Sequence, residues 1–241
     1  MGNVTLNGSA AGSFVSTLHG GTYGFFRSVS TNGVYHSTNA FGATVGSLAT
    51  NGYCMIGNPF DAQNVSDILP QPVENLKVYR WDNANSQYVQ VTYRFGSWNN
   101  SMTVNGEEGV IVYNPTSTAV PYIFTGLFTT NAISTSLPTG YSMLCTPLYQ
   151  IVTANSYVVD VLDSGTPGGA SNLPVQSPGF DPQAYLFQMI DAAETYRTNI
   201  FTGSGFWQTN GVNASISLKL AEGFWLSKPT NSTWTVNRTI W

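Results

Sequence analysis

Two motifs of this chain occur twice, in the same order. Gly52-Tyr-Cys-Met-Ile-Gly-Asn-Pro-Phe60 returns as Gly140-Tyr-Ser-Met-Leu-Cys-Thr-Pro-Leu148, an offset of 140 − 52 = 88. Glu108-Gly-Val-Ile-Val-Tyr-Asn-Pro-Thr116 returns as Glu222-Gly-Phe-Trp-Leu-Ser-Lys-Pro-Thr230, an offset of 222 − 108 = 114. Between them, Asp82 aligns with Asp191 and Trp98 with Trp207, both at 109. Ordered landmarks with a growing offset are the mark of a tandem duplication with insertions in the second copy, and insertions fall in loops. The chain therefore reads as residues 1–37 with no counterpart, a first repeat over 38–128 and a second over 129–241. Thr38-Asn-Ala40 and Thr130-Asn-Ala132 mark where each copy begins.

Each copy has strand chemistry. Leu76 to Trp81, Tyr88 to Phe95 and Val110 to Tyr113 are rich in β-branched and aromatic residues, several with period two. Asn-Gly, the dipeptide of tight hairpin turns, stands at 7, 32, 51, 105 and 210. Helix signals are poor; Ser66 to Leu69 before Pro70 suits a single turn. Ala184 to Arg197 has helix-like composition, but its alignment with the Trp81–Val89 hairpin predicts strand, turn, strand. The fold class is all-β: two tandem related antiparallel β-sandwich or barrel-like domains, preceded by an N-terminal strand-forming extension. The unrepeated parts are that extension and a Gly/Ser/Pro-rich loop from Asp163 to Pro182.

At these landmarks the chain resembles a poorly characterised group of secreted bacterial tandem-repeat proteins of planctomycete- and verrucomicrobia-like genomes. Gly52 to Phe60, Val78 to Trp81, Trp98, Gly106 to Pro115 and Phe124 to Gly126 carry the likeness in the first copy. The second copy matches more loosely, and together they cover roughly residues 38–241. The resemblance implies secretion and repeat architecture, and it brings no catalytic residues.

Only 8% of residues are charged, against about 25% in an ordinary soluble domain. Asn, Ser, Thr, Gln and Gly supply the polarity, which suits an extracellular or cell-surface β protein and lowers the repulsion between neighbouring copies. The eight Lys and Arg residues form no basic stripe, so nucleic acid is not an expected partner. No apolar run reaches membrane-spanning length. No basic, apolar leader follows Met1, so an export signal would have to be removed or non-standard.

Catalytic chemistry finds little support. The histidines, His19 and His36, lie outside the repeats, and no third ligand type accompanies them. No nucleophile elbow, phosphate loop or dinucleotide fingerprint occurs. Glu108 and Glu222 form a duplicated carboxylate pair, but each precedes Gly at a strand start, where a carboxylate bonds turn amides. Asp160 and Asp163 lack the alternating oxygens of a calcium loop. The expectation is no enzyme, no cofactor and no metal. Cys54 and Cys145, which are not equivalent in the repeat, are a candidate disulfide or two free thiols. The recurrent Trp98/Trp207 and Tyr53/Tyr141 are read as core positions.

The resulting expectation is a structural subunit of an extracellular bacterial filament or surface assembly, a homopolymer. The unrepeated segment would add as a strand to the sheet edge of a neighbouring subunit, a head-to-tail contact that does not close. The candidate interface is Val4, Leu6, Phe14, Val15, Leu18, Phe25 and Phe26, with Trp234 and Trp241 in the closing strand. The aromatic content of 13% keeps a secreted glycan-binding module or adhesin as the alternative, beside a viral or phage fibre component.

Overall fold

A computed structural model describes residues 39–129, 133–145, 184–190, 195–201, 207–213, 216–218 and 221–236, with strand segments at 5–6, 9–10, 12–18, 21–27, 150–151, 157–158 and 160–162. The described chain is all-β, as expected, in several antiparallel sheets. In front of the repeats run β1 (Thr5–Leu6), β2 (Ser9–Ala10), β3 (Gly12–Leu18) and β4 (Gly21–Arg27). The first repeat holds β5 (Asn39–Ser47), β6 (Gly52–Gly57), β7 (Gln63–Asn64), helical turn α1 (Val65–Ile68), β8 (Lys77–Asp82), β9 (Gln87–Arg94), β10 (Ser97–Trp98), β11 (Thr103–Val104), β12 (Gly109–Asn114) and β13 (Pro121–Thr129). The second holds β14 (Ile133–Leu137), β15 (Gly140–Cys145), β16 (Gln150–Ile151), β17 (Tyr157–Val158), β18 (Asp160–Leu162), β19 (Tyr185–Met189), β20 (Tyr196–Phe201), β21 (Trp207–Thr209), β22 (Val212–Asn213), β23 (Ile216–Leu218), β24 (Gly223–Lys228) and β25 (Ser232–Val236).

The duplication is visible in the strand order. The first repeat's main sheet runs β10-β9-β8-β12-β6, and the second's runs β21-β20-β19-β24-β15 with β22 added outside β21. The pairing register sharpens the alignment. Tyr79 lies opposite Ile111, and Phe187 opposite Trp225. The hairpins therefore correspond at 187 − 79 = 108, which makes Ile190 the counterpart of Asp82. The sequence match of Asp82 to Asp191 is one residue out, and Asp191 itself lies outside the described residues. Trp98 opposite Tyr93 and Trp207 opposite Phe201 do correspond.

Alternation assigns each strand's two faces. In the first repeat, Val78, Val91, Val110 and Val112 point into a core closed by Leu48, Phe60, Ile68 and Phe124. In the second, Leu186, Phe201, Trp207, Phe224 and Leu226 form the equivalent core. The opposite faces of β6, β8, β12, β15, β19 and β24 are also covered, by each other. That is why Gly109 to Tyr113 reads as an almost unbroken apolar run: a strand buried on both faces needs no polar alternation.

The two Asn-Pro motifs are structural. Asn58 is fully buried; its amide donates to the carbonyls of Asp61 and Val104, and its Oδ1 accepts from the Phe60 N–H. Asn114, also fully buried, donates to Ala49 and Thr118 and accepts from the Thr116 N–H. Each side chain satisfies loop backbone groups that burial would otherwise leave unpaired.

The N-terminal strands form a second sheet with the first repeat, in the order β13-β5-β4-β3. β4 pairs with β5 from Thr22 opposite Val45 to Phe26 opposite Phe41, and β3 pairs along β4. The extension thus adds to its own chain's sheet. Leu6 lies in β1, Phe14, Val15 and Leu18 in β3, and Phe25 and Phe26 in β4. Trp234 lies in β25, opposite Thr135. Val4, Trp241 and the 163–182 loop fall outside the described residues.

Candidate functional site: an aromatic cleft where the repeats meet

The two repeats join reciprocally. The Gly57 N–H donates to the Ala221 carbonyl (3.0 Å), and the Cys145 N–H donates to the Glu107 carbonyl (2.8 Å). Gly57 and Cys145 are equivalent at offset 88, Glu107 and Ala221 at offset 114, so each copy makes the same bond to the other. Glu107 and Ala221 both hold left-handed backbone, φ 61° and 57°. Two bridges repeat the exchange, Ile56 with Glu222 and Leu144 with Glu108.

This contact explains the glycine of the repeated Glu-Gly motif. A Cβ on Gly109 would stand 2.7 Å from the Leu144 carbonyl oxygen, and one on Gly223 would stand 2.7 Å from that of Ile56. Any side chain at either position would hold the copies apart.

The glutamates of that motif serve structure as well. Glu108 Oε2 accepts from the N–H and the side-chain amide of Asn105, and Oε1 lies 3.7 Å from Arg80 Nε. Burial pushes its carboxyl above the ordinary range, against the pull of the Asn105 amide and the Arg80 charge. In the second copy Gln188, the counterpart of Arg80 at offset 108, donates to Glu222 Oε1 (3.2 Å). The same contact survives with a neutral partner, so its geometry outranks its charge.

The cysteines are free thiols. Cys54 packs with Ile56 against the first core, whereas Cys145 meets the opposite face of β6 at Gly57. Opposite faces of one strand cannot bring the two sulfurs together. The candidate disulfide is therefore absent, and burial pushes the Cys54 thiol up to about 12. Among the described residues no cluster of three or more His, Cys, Asp or Glu side chains is placed to hold a metal. No described helix is long and apolar enough to cross a membrane.

Above the junction, Met55, Ile111, Met143 and Trp225 form a third buried cluster. Beside it opens a cleft of about 330 Å³ lined by Trp81 and Tyr88 of the first repeat and Tyr141, Phe187, Tyr196 and Trp225 of the second. Trp225 is the floor. Its ring meets those of Trp81, Tyr141 and Tyr88 edge-to-face, at centroid distances of 5.3, 6.0 and 6.1 Å. Trp81 is anchored further, its indole N–H donating to the Tyr141 carbonyl (3.0 Å). Edge-to-face packing sets an electropositive ring edge on an electron-rich face and fixes the walls in place. Tyr88 and Tyr141 form the rim, 48% and 52% exposed. Tyr141 is thus not the core residue its recurrence suggested; its counterpart Tyr53 packs against the third cluster.

Compared with family models, curated proteins and solved structures, the chain matches none.

The cleft has no ionised lining group and so offers shape and apolar contact rather than acid–base chemistry. Aromatic content is the only trace of it in the sequence, because its six residues come from strands up to 144 positions apart (225 − 81 = 144).

Proposed function

We propose that this chain is a non-enzymatic structural subunit of an extracellular assembly, in which the N-terminal strands of one copy complete the sheet of the next. The observation that supports this most is the mode of attachment of β3 and β4. Among the described residues, the pair joins the rest of its sheet only through the β4–β5 ladder, and β3 stands at the sheet edge. A hairpin held by one ladder can be exchanged between chains with every backbone bond conserved, the low-cost route of domain swapping. Residues 28–38 connect the hairpin to β5, and 11 residues reach at most about 40 Å when extended. Exchange in one direction leaves each copy with one donor hairpin and one acceptor edge, so growth continues until one of them is blocked. The low charge content reduces the repulsion such packing meets.

The test is to delete residues 1–35 and examine the product by sedimentation velocity and negative-stain microscopy. The full chain forms filaments, the shortened chain forms soluble monomers, and a peptide of residues 12–27 added in excess shortens the filaments of the full chain. Filaments that persist after the deletion would refute hairpin exchange.

A further inference from the structure

We propose that the aromatic cleft is the receptor for Phe95 of a second copy of the chain. The proposal rests on the self-assembly reading above and gives it a second, independent contact.

Phe95 is the most exposed large apolar residue among those described, at 94%. It sits at the tip of the two-residue turn between β9 and β10, where Arg94 pairs with Ser97. Its backbone is left-handed, φ 53°, followed by Gly96 at φ 80°. Turns of this shape favour Asn, Asp or Gly at the first position, and a bulky side chain there is an outlier. Neither burial nor turn preference accounts for a phenylalanine at this point. An outlier of this kind is a pointer to function.

The tip is also held rigidly. Both carboxylate oxygens of Glu74 accept from the Phe95 N–H, at 3.0 and 3.2 Å. Arg94 Nε donates to Asn75 Oδ1 (3.1 Å), and the Asn75 N–H donates to the Tyr93 carbonyl (2.8 Å). A Cβ on Gly96 would meet nothing within 4 Å, so the tip stands clear of its surroundings. A ring presented on a pinned turn loses little freedom on docking, which is what an interface anchor requires.

The cleft complements it. Six aromatic side chains without an ionised group line an open cleft of about 330 Å³, with Trp225 as a floor and Tyr88 and Tyr141 as a rim. A phenyl ring entering there would continue the edge-to-face pattern that already relates Trp81, Tyr88 and Trp225. The donor cannot be the same chain. Tyr88 and Phe95 stand at opposite ends of β9, and seven steps at about 3.3 Å place them roughly 23 Å apart. Knob and receptor are therefore different patches of one surface, and their union is heterologous.

The test incorporates the photo-reactive p-benzoyl-L-phenylalanine in place of Phe95 in the full chain. Light and isotope-labelled chains are mixed, irradiated and analysed by mass spectrometry. Inter-chain cross-links from position 95 to Trp81, Tyr141 or Trp225 are expected, falling at least tenfold when the receiving chain carries Tyr88→Arg and Tyr141→Arg at the exposed rim. No inter-chain cross-links, or cross-links only to other surfaces, overturn the proposal. So does a cleft that serves a sugar: cellohexaose shifting the tryptophan fluorescence of a Phe95→Asn chain, while position 95 gives no cross-link to the cleft. Hairpin exchange is separable, because deleting residues 1–35 leaves Phe95 and all six cleft residues in place.

Discussion

Gly109→Ala and Gly223→Ala test the reciprocal junction directly. At Gly109 the new methyl would lie 2.7 Å from the Leu144 carbonyl oxygen and 3.1 Å from Met143 Cγ; at Gly223 it would lie 2.5 Å from Met55 Cγ and 2.7 Å from the Ile56 oxygen. Methionine side chains can move aside, but the backbone oxygens cannot move without separating the strands. Forced overpacking costs about 1–3 kcal/mol. Separation also stretches the nearby Gly57–Ala221 or Cys145–Glu107 hydrogen bond, each worth about 0.5–1.5 kcal/mol. Each substitution should therefore destabilise by about 2–4 kcal/mol, a large part of the ~5–15 kcal/mol that holds an ordinary domain. Urea unfolding followed by tryptophan fluorescence reads the loss as a lower midpoint, and a red shift of the native spectrum would report wetting of Trp81 and Trp225. Because both methyls loosen one junction, the double variant should lose less than the sum of the single losses, by about 0.5–3 kcal/mol. Single losses under about 0.5 kcal/mol, or additivity within that margin, would show that the junction does not couple the repeats.

Three further outcomes follow from ionisation. Burial holds the Glu108 pKa above its ordinary 4.5, so between 4.5 and the raised value the native state binds more protons than the unfolded chain, and stability falls as pH rises through that window. Glu108→Gln should flatten that decline in urea midpoints measured between about pH 3 and pH 7; an unchanged slope counts against a buried carboxyl. Asp82 has the opposite sign: the Asn85 side chain and turn amides hold its pKa below 3.8, so its contribution is present above 3.8 and is lost as pH falls through the lower folded value. Asp82→Asn should remove that acid-side loss. With the Cys54 thiol at about 12 and Cys145 buried, the native protein should not react with Ellman's reagent at mild alkaline pH, while the urea-unfolded, unreduced protein should release two thiol equivalents. Fewer than two would establish a disulfide.

The sequence made the strands legible where pairing is local. The Trp81–Val89 and Ala184–Arg197 hairpins, the turn before Pro70 and the β12 and β24 motifs all follow from residue chemistry within a short window. Legibility failed where the physics is non-local. The Asp82–Asp191 match used identity alone, whereas register in a sheet is fixed by partners on other strands, and only the Tyr79–Ile111 and Phe187–Trp225 pairings expose the slip. Tyr141 recurs with Tyr53 yet lines an open rim, because recurrence marks equivalent backbone positions and not equal neighbours. Phe95-Gly96 carries no standard turn signature; Glu74 and Asn75, about twenty positions earlier, hold it. The repeated glycines are the converse case. Their recurrence was plain in the sequence, but the reason for it, a backbone crossing at Gly109 and Gly223, depends on groups brought in by folding.

The way the two copies diverged bears on why there is a cleft at all. The junction treats them as equals: the same backbone bonds, the same bridges and the same glycines run in both directions. Two identical copies would make every feature of that junction twice. The side chains above it break the equality. Trp225 corresponds to Ile111, and Trp81 corresponds to Met189, while Tyr88 and Tyr196 remain alike. Where Trp225 and Trp81 stand, rigid rings meet edge-to-face and cannot close on one another, which leaves the cleft. Where Ile111 and Met189 stand, compact or flexible aliphatic side chains replace them and can fill irregular space. Both sides stay apolar, but the Ile111 and Met189 pair is smaller than the Trp225 and Trp81 pair. The difference makes the two sides of a reciprocal interface unequal, and a heterologous, head-to-tail contact of the proposed kind needs unequal patches.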